Sequence, residues 1–166
     1  RVLDQAKPNH EGTVRDGQIV QGKRKPAVQL DGHGSVLVAA TAADLDPTDK
    51  DFTVGALCQP AAPNGMLITM GGAKNGFSIY LREGIPHFSA RSAGTVTTVA
   101  ADKPVAMNQW IHLMGTLDSS GELSIVVNGW PRATTQGALI KGTPELPLSI
   151  GTASGPEGNG PEQLPN

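Results

Sequence analysis

Three residues near the second tryptophan have the types that hold a sugar ring. Trp130 follows Asn128-Gly129 and precedes Pro131, which places its indole near a loop or sheet rim. The apolar face of a sugar stacks on such an indole. Arg132 and Gln136 lie close by in sequence and offer donors for hydroxyl groups. The plainer reading is a rim residue covering the end of the fold, since scattered exposed aromatics are ordinary.

Oxygen ligands for calcium have two candidate sources. Asp31, with the backbone carbonyls around Gly32, His33 and Gly34, supplies hard donors at a turn. Asp44, Asp46, Asp49 and Asp51 form an acidic cluster. That cluster is not an EF-hand, because Pro47 interrupts it and no glycine makes the sharp turn. A solvated loop with capping aspartates accounts for it better.

Motifs for catalysis mostly fail. Cys58 is the only cysteine, so no internal disulfide can form. It follows an apolar strand pattern, which favours packing over reactivity. Cys58-Gln59-Pro60-Ala61-Ala62 has the outline of a Cys-x-Pro-x-Arg sulfatase site, but Ala62 stands where that pattern requires Arg. Zinc spacing, phosphate loops and a Ser/His/Asp arrangement are not recognisable. Trp110 begins an apolar strand and reads as core, and His112 two residues on is assigned no chemistry. Lys23-Arg24-Lys25-Pro26 reads as a solvated turn before a strand.

The elements that must position these residues are short strands. The 166 residues are 38% hydrophobic, enough for one globular domain. Gly (21) and Pro (13) recur between short apolar runs and interrupt helices. A net charge of −2 with mixed signs leaves no basic block for nucleic acid. No apolar run approaches the ~20 residues that span a bilayer. The chain opens at Arg1 rather than Met, which reads as a segment of a longer protein with any targeting signal upstream.

Strand signals fall at 27–30, 35–38, 52–58, 66–70, 77–82, 85–90, 96–99, 110–117, 122–127 and 148–150, with short edge pieces at Val2-Leu3 and Ile19-Val20. Asp31–Gly34, Asn75-Gly76, Arg82–Gly84, Asp118–Gly121 and Asn128-Gly129 supply the turns. The stretch 39–49 holds at most a single 3₁₀ turn before Pro47. Residues 152–166, dense in Gly, Pro and Glu, read as a loop or disordered tail. The expected fold is all-β, a two-sheet antiparallel sandwich.

Several segments in order resemble the laminin-G-like, concanavalin-A-like jelly roll. They are Ala27–Gly32, Asp44-Leu45 with Asp51–Val54, Gly76–Leu81 with Ile85–Phe88, Trp110–Leu113 through Asn128-Gly129, and Leu148–Gly151. The resemblance implies a display surface rather than a catalyst. It favours the Asp31 position for calcium. Members usually continue with a strand of the type Phe-x-Gly-x-Ile-Asp, and nothing like it follows Gly151. Either the segment is cut before that strand or the strand is absent; its loss would open an edge beside the first strand, inviting dimerisation or aggregation, and remove a partner Asp for the cation. The Glu-x-Asp-x-x-Glu triplet of the related glucanases is also absent.

These readings set the expectations. Residues 1–26 form an N-terminal edge strand and loop, 27–151 the sandwich core and 152–166 a tail, all in one domain. The chain is expected to be a non-catalytic module recognising a carbohydrate or glycoconjugate within a larger extracytoplasmic protein, such as a secreted sulfatase or glycosidase. No cofactor is required, with calcium an option at Asp31, Gly32 and Gly34. The partners are a glycan and other domains of the parent, with no nucleic acid and no membrane insertion. A structural or protein-interaction domain without a sugar site is the competing expectation, and a catalytic sandwich a third.

Overall fold

Alternation of buried and exposed residues along the middle strands dictates the architecture. In 111–117 the pattern is strict: Ile111, Leu113, Gly115 and Leu117 are buried, while His112, Met114 and Thr116 face the other way. Such strands must close one face on a second sheet. The computed structural model describes Val2, Gln5, residues 10–38 and residues 43–151. The predicted tail at 152–166 lies outside the described residues.

Eleven strands form among the described residues: β1 (Gly12–Gln21), β2 (Pro26–Val38), β3 (Phe52–Cys58), β4 (Gly65–Gly71), β5 (Gly76–Arg82), β6 (Ile85–Ser92), β7 (Thr95–Ala100), β8 (Ile111–Leu117), β9 (Glu122–Val127), β10 (Trp130–Gln136) and β11 (Ser149–Ile150). The expected 3₁₀ turn is Ala43–Leu45. One sheet has the order β1-β2-β11-β4-β5-β6-β7 and the other β10-β9-β8-β3. Every pairing is antiparallel. The expected two-sheet antiparallel sandwich is therefore the observed fold.

The core lies between the sheets. Ile79, Leu81 and Phe88 from the larger sheet meet Leu113, Leu123 and Ile125 from the smaller one. Cys58 packs against this cluster from β3. Burial pushes its thiol up to about 11, so it stays protonated at neutral pH, as a packing residue should.

The outer face of the larger sheet carries a row of hydroxyls. Ser149, Thr69, Ser78, Ser89 and Thr98 stand side by side across five strands. Ser89 Oγ lies 2.7 Å from Thr98 Oγ1 and 3.3 Å from the Tyr80 hydroxyl. Ser78 and Ser149 are fully buried, and their hydroxyls find no hydrogen-bond partner among the described residues.

Three differences from the sequence reading concern strands. β1 is ten residues long where only Ile19-Val20 was expected to pair. It forms an edge of the larger sheet, and Gly12 exchanges both backbone hydrogen bonds with Val2. The stretches 27–30 and 35–38 belong to one strand, β2, with Asp31–Gly34 as an excursion opposite the single residue Asp16. β10 runs through Trp130 and Pro131, which read as a loop or sheet rim. Proline is tolerated there because β10 is an edge and Pro131 adjoins a bulge.

Candidate functional site

The long hairpin from Trp110 to Gly129 builds one end of the sandwich. Asn128 and Gly129 have φ of 53° and 82°, the left-handed pair a tight two-residue turn requires. The His112 backbone N–H donates to Asn128 Oδ1 at 2.9 Å, and the Asn128 N–H donates to the His112 carbonyl at 2.8 Å. This lock fixes the start of β8 against the end of β9. It leaves the Asn128 side-chain NH₂ as the group with donors to offer.

The segment 101–110 forms the opposing wall. Its backbone is tied down along its length. Ala101 N–H donates to the Pro86 carbonyl, Val105 N–H to Gly84, and Asn108 N–H to Pro60. Gln59 Nε2 donates to the Asn108 carbonyl at 2.9 Å. A wall held this way keeps its shape before a ligand arrives, which lowers the ordering cost of binding.

Between the two walls lies a cleft of about 190 Å³. Trp110 and Arg132, both half-buried, line it together with Lys103, Gln109 and Asn128. Ile111 and Val127 contribute apolar floor. The combination is an aromatic surface, two cations and two amides around a small concavity. It can stack an apolar ring face and donate hydrogen bonds to its oxygens. Both ionisable residues lining it are cationic.

The residues singled out in the sequence are distributed differently. Trp130 is 71% exposed and pairs with Val127, so it stands at this end of the sandwich without lining the cleft. Arg132 does line it. Gln136 lies six residues further along β10, roughly 20 Å from Trp130 at strand spacing. Its amide donates to the Ser120 and Gly137 carbonyls. Trp130, Arg132 and Gln136 therefore do not converge. Trp110, read as core, instead lines the cleft: β8 begins at Ile111, so the indole falls outside the inward alternation. His112 lies on the outer side of β8, opposite Leu57 of β3. Lys103 and Gln109 carried no local signal and Asn128 only that of a turn, because only the topology gathers them.

Asp31 is engaged as a turn former. Its Oδ1 accepts the backbone N–H groups of His33 at 3.0 Å and Gly34 at 3.1 Å, which hold its carboxyl below the usual carboxylate range. Gly32 takes φ of 94° to close this turn. No group of three acidic, histidine or cysteine side chains suited to a metal exists among the described residues. Asp31, Gly32 and Gly34 alone do not fit a calcium set, which needs six to eight oxygens. In the acidic cluster, Asp46 Oδ1 accepts from the Thr48 hydroxyl and backbone N–H, and Asp49 pairs with Lys141 at 2.7 Å.

A family model described as the concanavalin A-like lectin/glucanases superfamily, within the laminin G group, matches residues 30–161. The chain belongs to this superfamily. No curated protein matches the sequence. Among solved structures, it is similar to the binding domain of Paraclostridial Mosquitocidal Protein 1. That likeness has 16% identity and a TM-score of 0.72 over 96% of this chain and 44% of that one. It is also similar to a botulinum neurotoxin type C structure, at 13% identity and a TM-score of 0.62 over 93% of this chain and 41% of that one. The cell uptake of that toxin depends on interaction with two ganglioside molecules. Domains LG4-5 of the mouse laminin α1 chain align at 15% identity and a TM-score of 0.54, over 62% of this chain and 28% of that one. The chain thus spans less than half the length of each of these proteins. At such identities the likeness establishes the fold.

Proposed function

We propose that this chain is a non-catalytic module that recognises a glycoconjugate through the cleft between the 101–110 segment and the β9–β10 turn. The observation that carries the reading is the convergence of Trp110, Arg132, Gln109 and Asn128 on one preformed concavity. Membership in a lectin/glucanase superfamily supports it. The sequence lacks the glucanase carboxylate triplet, which favours the lectin side. The neurotoxin likeness adds a relative that engages gangliosides, although that protein is more than twice as long as the part matched. The module is read as one part of a larger extracytoplasmic protein, with a secreted hydrolase as a fitting parent.

The test is a broad glycan array probed with the wild type and with Arg132→Gln. Binding to a defined set of glycans, lost in the variant, supports the cleft as the site. A folded sample that binds none of them replaces this reading with a structural or protein-interaction role.

A further inference from the structure

The β1–β2 hairpin has two unequal halves. Its proximal half, Gly12–Arg15 against Ser35–Val38, belongs to the larger sheet, because β11 pairs with Val36 and Leu37. Its distal half, Gly17–Gln21 against Pro26–Leu30, has no strand on either side among the described residues. The two halves meet at a joint. Asp16, at φ of 48°, opposes the whole Asp31–Gly34 excursion, and a Cβ on Gly34 would collide with the Asp16 carbonyl. The distal ribbon extends roughly 17 Å beyond this joint at strand spacing.

One face of that ribbon is the more apolar, since the other carries Gln18 with Gln29 beside Val20 with Ala27. Direct register partners share a face. Ile19 with Val28, Gln21 with Pro26 and Gly17 with Leu30 therefore put four apolar side chains on one side. Ile19 is 58% exposed on that side. The tip is Lys23-Arg24-Lys25, all exposed and none with an ion-pair partner among the described residues. The Gly22 N–H donates to the Lys25 carbonyl at 3.1 Å, which holds the three cations in a closed turn. A lone two-stranded ribbon is marginally stable, so a surface that covers Ile19 and neutralises the tip would complete it.

We propose that this ribbon is a peripheral docking arm for an anionic lipid bilayer. Charge complementarity places the three cations against headgroup phosphates and carboxylates. Ile19 and Val28, adjoining them on one face, reach the acyl boundary. A soluble polyanion would satisfy the cations but leave Ile19 in water, and an apolar protein groove would leave the cations unmatched. The assignment is independent of the glycan cleft, because no ribbon residue lines that cleft.

The test is co-sedimentation of the full 166-residue chain with vesicles of phosphatidylcholine mixed with phosphatidylserine, and with phosphatidylcholine alone. The chain is expected to bind the mixed vesicles and to release with salt. Neutralising Lys23, Arg24 and Lys25 together to Gln should weaken binding on the order of a hundredfold. Ile19→Ser should weaken vesicle binding about tenfold and leave retention on a soluble sulfated polysaccharide unchanged. All four positions are exposed, and unchanged thermal melting confirms that each variant is folded. No binding to mixed vesicles overturns the proposal. So does equal binding by the triple variant, or binding indifferent to Ile19→Ser, which marks a polyanion site instead.

Discussion

Gly115 lies flat beneath the ring of Phe88. A Cβ built on Gly115 would meet three ring carbons of Phe88, the farthest at 2.9 Å. Phe88 is fully buried on β6 and Gly115 is on β8, so this contact joins the two sheets. Phe52 closes the same region, its ring 6.3 Å from Phe88 in an edge arrangement. The absent side chain is what lets the sheets approach here. Gly115→Ala should therefore overpack the core and cost about 1–3 kcal/mol, read as a lower denaturant midpoint with an unchanged slope. A variant as stable as the wild type would show that Phe88 has room to move.

The buried hydroxyl row makes opposite predictions for neighbouring serines. Ser78 is buried without a partner among the described residues, so Ser78→Ala should leave stability unchanged or raise it. Ser89 is bonded to Thr98 and Tyr80, so Ser89→Ala should cost about 1 kcal/mol. Paired thermal melts check the contrast, and a loss at Ser78 equal to that at Ser89 would reveal a missed partner.

Cys58 should resist alkylation. Its thiol is raised to about 11 by burial, so the thiolate is scarce at pH 8. A thiol raised above its unfolded value stabilises the fold below the unfolded pKa of ~8.5, and this is lost as pH rises through the folded value near 11. Iodoacetamide labelling at pH 8 should be slow for the folded chain and fast in denaturant.

Asp118 closes the β8–β9 turn. Its Oδ1 accepts from the Ser120 hydroxyl at 2.6 Å and from the Ser120 and Glu122 backbone N–H groups. These bonds, the hydroxyl first, hold its carboxyl below the ordinary range. The contribution is present above the unfolded pKa and lost as pH falls through the lowered folded value. Asp118→Ala should melt lower than the wild type at pH 7, and the two curves should converge in acid. A gap that persists in acid would place the effect elsewhere.

The sandwich was legible where strands alternate against a core, as in Trp110–Gly129, whose turn residues also mark its hairpins. β1 and β10 escaped for physical reasons. Only Ile19-Val20 marked β1, because Gly12-Thr13-Val14-Arg15, the part that joins the sheet, carries one apolar side chain, Val14, and no alternating run. β10 begins Trp130-Pro131-Arg132, and proline obscures an edge strand whose bulge tolerates it. Proximity in sequence grouped Trp130, Arg132 and Gln136, but extended strand geometry carries Gln136 to the far end. The cleft unites residues from the β7–β8 connection with residues of the β9–β10 hairpin, and that meeting is written in the topology alone.

The central claim is that Trp110, inside the cleft, is the stacking surface rather than the more exposed Trp130. The direct measurement is a calorimetric titration of the strongest glycan from the array into wild type, Trp110→Ala, Trp130→Ala and Gln136→Ala. The account predicts that Trp110→Ala weakens binding at least tenfold, about 1.4 kcal/mol, while Gln136→Ala binds as the wild type does and Trp130→Ala loses less than Trp110→Ala. Full affinity in folded Trp110→Ala would contradict it and move the site out of the cleft.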